Sequence, residues 1–141
     1  MSYKDTFIEA ATDCPEQTGV APAVRGVKPS VPVLEFELLT KNPYKFTQEE
    51  LIFTIHVTRL GLTPGEIERR DAQIRAELFS KPHPCLRASQ LPKRYGWGVH
   101  HDPAGRIAIY ARGSKDYAAF VTGKKKVSKI LKAMRNKRAD A

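Results

Sequence analysis

The chain has 141 residues, is 41% hydrophobic and carries a formal net charge of +9. That length suits one domain with a modest core, and no apolar run approaches the ~18 residues that suggest a membrane span. The charge is uneven. Residues 124–141 hold eight Lys or Arg against one Asp, a balance of +7, so the other 123 residues carry 16 basic and 14 acidic side chains, or +2. The high pI therefore describes a tail, not a basic domain. The first residues, MSYKDTFIEAATD, lack an apolar h-region and contain acids, so no signal peptide is expected. Cys14 and Cys85 are too few for a disulfide framework, and reduced thiols in a cytoplasmic setting are expected.

Residues 6–11 read as a short first strand, ended by Cys14-Pro15. Residues 16–32 are rich in Pro, Gly and small side chains and read as a long loop. Residues 33–39 alternate, with Leu34, Phe36 and Leu38 on one side and Val33, Glu35 and Glu37 on the other, the pattern of a half-buried strand. Asn42-Pro43 breaks it. Thr47 with Glu50 fits a capping box, yet Leu51, Phe53, Ile55 and Val57 recur at period two. Residues 51–57 are therefore expected to be a strand, with a helix from Thr47 as its competitor.

Thr63-Pro64-Gly65-Glu66 is a stronger helix start, and the helix is expected to run to about Phe79 before Lys81-Pro82 stops it. Within it Asp71 is one turn from Arg75 and reads as an exposed acid with a partner. Residues 85–89 suit a short helix or strand. Residues 96–100 and 106–110 form the clearest hairpin, joined through Asp102-Pro103 and Gly105. Ser114 caps a short helix to Phe120. A last helix is expected over 126–137, with Val127, Ile130, Leu131 and Met134 as its apolar stripe. This mixed order predicts an α+β fold: a small, mainly antiparallel sheet with two or three packed helices. Residues 1–123 would form the single domain, and 124–141 a basic C-terminal helix or tail, docked at least in part.

The chemistry-bearing residues concentrate between Ser80 and Tyr110, which hold three of the four histidines, one of the two cysteines and the only tryptophan. Arg87, Lys93, Arg94, Tyr95 and Trp97 set cations beside aromatics and are the candidate binding residues for an anionic small molecule or phosphate-bearing ligand. The competing reading is that Trp97, sharing a strand face with Val99, packs in the core and that Gly98 is forced by packing. His101 oriented by Asp102, or Cys85 with His83 or His101 as base, is the candidate catalytic set of an enzyme alternative. A third alternative is a protein-interaction domain. No CxxC or HExxH spacing occurs, so no metal is expected. No phosphate-cradling or dinucleotide glycine motif occurs either, so no nucleotide cofactor is expected. Lys124, Lys125, Lys126, Lys129, Lys132 and Arg135 are the candidate contacts for nucleic-acid phosphates; a solvated face on a docked helix explains the same residues.

Three landmarks together resemble one bacterial family. They are Tyr3 with Thr6-Phe7-Ile8 and Asp13-Cys14-Pro15, the Asn42-Pro43-Tyr44-Lys45 turn, and Leu86-Arg87-Ala88-Ser89 followed by Leu91-Pro92-Lys93-Arg94-Tyr95-Gly96-Trp97-Gly98. The chain is similar to the DUF6157 family, a domain of unknown function, over roughly residues 3–121. The resemblance implies no catalytic residue, cofactor or fold, and it leaves the basic tail outside the resembling region.

Overall fold

The structure is a computed structural model and describes residues 3–136. Among these, β1 (Thr6–Glu9) is followed by α1 (Val31–Lys41), α2 (Gln48–Leu60) and α3 (Pro64–Leu78). A 3-10 turn (Leu86–Ala88) leads into α4 (Gln90–Arg94), then β2 (Trp97–His101), β3 (Ile107–Ala111), α5 (Lys115–Val121) and β4 (Lys129–Lys132). The strands form one sheet in the order β3-β2-β1-β4. The β2–β3 and β1–β2 pairs are antiparallel, and β4 joins β1 in parallel. The α+β class and the mostly antiparallel sheet stand, but five α-helices replace the two or three expected.

The layering follows from strand alternation. Ile8, Val99, Ile107 and Ile109 enter one core with Leu34 and Leu39 of α1, Leu51 and Ile55 of α2 and Leu91 of α4. Phe7, on the opposite face, packs against Tyr117 and Phe120 of α5. Phe53 and Val57 of α2 face Ile74 of α3 in a separate cluster.

That arrangement explains why residues 51–57 form a helix and not a strand. Leu51 and Ile55 are four apart and meet the main core; Phe53 and Val57 are four apart and meet α3. Two opposite i,i+4 stripes on one helix add up to a period of two. Thr47 begins the helix, its Oγ1 accepting from the Glu50 N–H at 3.3 Å, and Gly61 ends it with φ +70°.

Residues 33–39 are likewise helical, within α1. Pro32 sits in the first turn, Ser30 accepts from the Leu34 N–H, and the Leu and Glu that follow are good helix formers. Val33, Leu34, Glu35 and Leu39 are all buried, so burial extends around the helix instead of alternating.

The last expected helix is also replaced. Its residues 129–132 are β4, hydrogen-bonded to the free edge of β1, while Ile130 and Met134 are exposed. Ser128 anchors the start through its N–H and hydroxyl, both donating to Asp5 Oδ2, and the Ala133 N–H donates to the Glu9 carbonyl at 2.9 Å. Lys137, the end of the expected helix, lies outside the described residues.

The first strand is shorter than expected, Thr6–Glu9, while several capping and turn expectations hold. Thr63 and Glu66 make a full capping box at the start of α3, and Asp71 pairs with Arg75 at 2.9 Å. Residues 97–101 and 107–111 form the hairpin, and Ser114 caps α5 by accepting from the Tyr117 N–H.

Candidate functional site

A cleft of about 590 Å³ opens between α1, α2 and the segment that carries the 3-10 turn into α4. Its walls follow from helical spacing. Gln48, Ile52, Ile55 and Arg59 recur along one side of α2, and Val31 and Glu35 are one turn apart on α1. His83, Cys85, Leu86 and Ser89 supply the third wall. Leu51, Ile52, Ile55 and Leu86 make much of the lining apolar, as in small-molecule sites generally.

Two polar groups are sunk into this lining. Glu35 is 8% exposed and Gln48 is 5% exposed. The Ser89 hydroxyl donates to Glu35 Oε1 at 2.8 Å, while Ser89 Oγ accepts from the Leu91 N–H at 3.1 Å, so the residue that caps α4 also fixes the carboxyl. Among the described residues no cation pairs with Glu35, and Gln48 Oε1 is buried without a hydrogen-bond partner. Desolvation pushes the Glu35 carboxyl up to about 7, against the smaller opposing effect of the Ser89 hydrogen bond. Near neutrality this carboxyl exists in both forms, which an exposed glutamate does not. Among the described residues the other titratable side chains lining the cleft are Lys28, His56, Arg59, His83 and Cys85, so Glu35 is the one acid in that described lining.

The residues expected from sequence lie elsewhere or in other roles. Cys85 and its neighbour His83 do line the cleft. Cys85 Sγ lies 3.4 Å from the Tyr3 hydroxyl, whereas His83 Nε2 is 2.6 Å from the Leu78 carbonyl, so no hydrogen bond joins thiol and imidazole. His101 is fully buried and meets the Tyr3 ring at a steep angle, 5.4 Å between centroids, and neither of its ring nitrogens has a partner among the described residues. Desolvation, then the neighbouring His100, lowers its pKa to about 4, so the imidazole is neutral at physiological pH. Asp102 does not orient it: its carboxylate accepts from the Ala104 and Arg106 N–H groups and shapes the hairpin turn. Tyr3 thus stands between Cys85 and His101, but His101 and Asp102 do not line the cleft.

The basic aromatic set is dispersed. Arg87 Nε donates to the Lys132 carbonyl at 2.7 Å, tying the 3-10 turn to β4. Trp97 donates its indole N–H to the Val20 carbonyl at 2.8 Å and meets Phe36 edge-on, packed against the main core. Arg94 is exposed beside Tyr95, and Lys93 is half-buried. None of Arg87, Lys93, Arg94, Tyr95 or Trp97 lines the cleft. Lys124, Lys125, Lys126, Lys129, Lys132 and Arg135 are all exposed, and Lys125 is held by Asp116 at 2.8 Å.

Sequence reasoning passed over Glu35 because a polar residue in an alternating run reads as facing solvent. The available signal was a helix-forming Leu-Glu-Phe-Glu-Leu-Leu run directly after Ser30 and Pro32. Gln48, at the first turn of α2, carried no signal.

The chain belongs to the DUF6157 family, a family of unknown function, whose model matches residues 1–139. The match extends well past residue 121 and takes in β4, so the basic segment is part of the family's sequence and not an appendage outside it. No curated protein and no solved structure matches the chain. Among the described residues no three His, Cys, Asp or Glu side chains are grouped to hold a metal ion, and no helix is long and apolar enough to cross a membrane.

Proposed function

We propose that the protein is a binding module and that the cleft between α1 and α2 receives an anionic small molecule with an apolar body. One observation carries this reading: the described lining of the cleft joins an apolar set, Leu51, Ile52, Ile55 and Leu86, to two cations, Lys28 and Arg59, and one acid, Glu35. The apolar body contributes burial, and a carboxylate or phosphate head takes charge-assisted hydrogen bonds from Arg59 and Lys28. This keeps the ligand class expected from sequence and moves it to different residues. A cytoplasmic setting belongs to the same reading, supported by Cys14 and Cys85 being free thiols. The six exposed cations from Lys124 to Arg135 support a separate, weaker contact with nucleic-acid phosphates, whose affinity would fall steeply with salt.

The test is fluorescence titration with 8-anilinonaphthalene-1-sulfonate on the folded protein, followed by displacement with decanoate, decanol and decylamine. These three share one apolar body and differ in head group. Saturable binding, displaced best by decanoate, weakened by Arg59→Glu and lost on filling the cleft with Ile52→Trp, is expected. Preference for decylamine, or no saturable binding while the protein remains folded, would reject the anion site.

A further inference from the structure

Glu35 is the group in the cleft that the anion reading leaves unused, and its surroundings are unusual for a carboxylate. It is 8% exposed, accepts one hydrogen bond from Ser89, and its Oε2 has no protein partner among the described residues. The cleft it lines is also lined by Gln48, His56 and Arg59 of α2, Lys28 of the segment before α1, and His83, Cys85 and Ser89, of which Ser89 is hydrogen-bonded to it. None of the cationic ones pairs with it. An unpaired charge in apolar surroundings is costly, and such a group neutralises instead.

Resting on the anion-binding reading, we infer that the cleft takes up one proton together with its ligand, and that Glu35 carries that proton in the bound state. The apolar body of the ligand covers the wall in which Glu35 sits and removes the water that reaches Oε2. The anionic head adds a like charge. Both effects favour the acid form. The protonated carboxyl then donates from Oε2 to any carbonyl or hydroxyl oxygen the ligand places there, while Oε1 keeps the Ser89 hydrogen bond. The free carboxyl titrates at about 7. Below that pH the free protein already holds the proton and affinity is flat. Above it each pH unit weakens binding about tenfold, until the bound-state carboxyl itself ionises. The cleft would therefore load at slightly acid pH and release its ligand in alkali.

The experiment is isothermal titration calorimetry of the full chain with decanoate, which stays ionised throughout, at pH 6.0, 7.5 and 8.0 in HEPES and in Tris. The dependence of heat on buffer counts protons. Uptake of roughly three-quarters of a proton at pH 7.5, about a tenth at pH 6.0, and about tenfold weaker binding at pH 8.0 than at pH 6.0 are expected from one group titrating near 7. Glu35→Gln should bind with little dependence on pH and take up no proton, whereas His56→Gln and His83→Gln should retain the uptake. Decanoate binding without proton uptake, or uptake that disappears in a histidine variant and survives in Glu35→Gln, overturns this inference and leaves the anion site standing. No decanoate binding by the folded protein at any of these pH values removes both. If Glu35→Gln does not fold, the native uptake together with the two histidine variants decides the matter.

Discussion

Replacing Glu35 by Gln should make the protein more stable at alkaline pH, even though it alters a hydrogen-bonded buried residue. In the unfolded chain the carboxyl has its ordinary value of 4.5, and in the fold it is pushed up to about 7. The folded state therefore holds a proton that the unfolded state has already released. Stability is fully present below 4.5 and falls as pH rises toward 7, levelling off beyond it. At 1.36 kcal/mol for each tenfold change in the proton equilibrium, that gap corresponds to ~3 kcal/mol lost between about pH 4.5 and 8. Gln cannot ionise, and its side-chain oxygen can still accept from Ser89. For a chain of this length ~3 kcal/mol corresponds to ~10 °C in Tm. The assay is urea unfolding of both proteins at pH 5, 6, 7 and 8, because other titrating groups cancel in the difference. The Glu35→Gln advantage should widen between pH 5 and 7 and level off by pH 8. A difference that stays within about 0.5 kcal/mol of constant would refute the claim that this carboxyl is desolvated and unpaired.

Three further outcomes can be measured with the same method. His101 has the opposite sign: its folded pKa of about 4 lies below the ordinary 6.5, so stability is full above 6.5 and falls by ~3 kcal/mol as pH drops toward 4. His101→Leu should lack that acid loss, and because Glu35 and His101 oppose each other between about pH 4.5 and 6.5, the single variants should slope in opposite directions there; parallel slopes would sink the argument. Gly98→Ala should destabilise by about 1–3 kcal/mol, because a Cβ there would meet Phe7 Cζ at 2.4 Å and Tyr117 at 2.8 Å, with Phe7 already stacked on Phe120. A neutral Gly98→Ala would mean that this face of the sheet is loosely packed. Thr63→Ala should cost about 1 kcal/mol by removing both hydrogen bonds of its hydroxyl in the α3 capping box, checked by loss of stability without loss of cleft binding.

The amino-acid sequence by itself determined those elements whose causes are local. Thr63-Pro64 and Glu66 begin α3, Ser114 begins α5, and Asp102 with Gly105 turns the hairpin, because caps and turns are made by residues a few positions apart. The uneven charge and the concentration of reactive side chains between Ser80 and Tyr110 were equally visible, and two of those residues, His83 and Cys85, do reach the cleft. Only the tertiary structure decided the rest. Whether alternating Leu51, Phe53, Ile55 and Val57 form a strand depends on there being partners on two sides of a helix, the main core and α3. Whether residues 129–132 are helix or strand depends on the free edge of β1 and on Asp5, 123 positions from Ser128. Glu35 becomes a candidate functional group only once α1 lays it against Ser89 and α2, where burial removes the solvent that would otherwise keep it an ordinary glutamate.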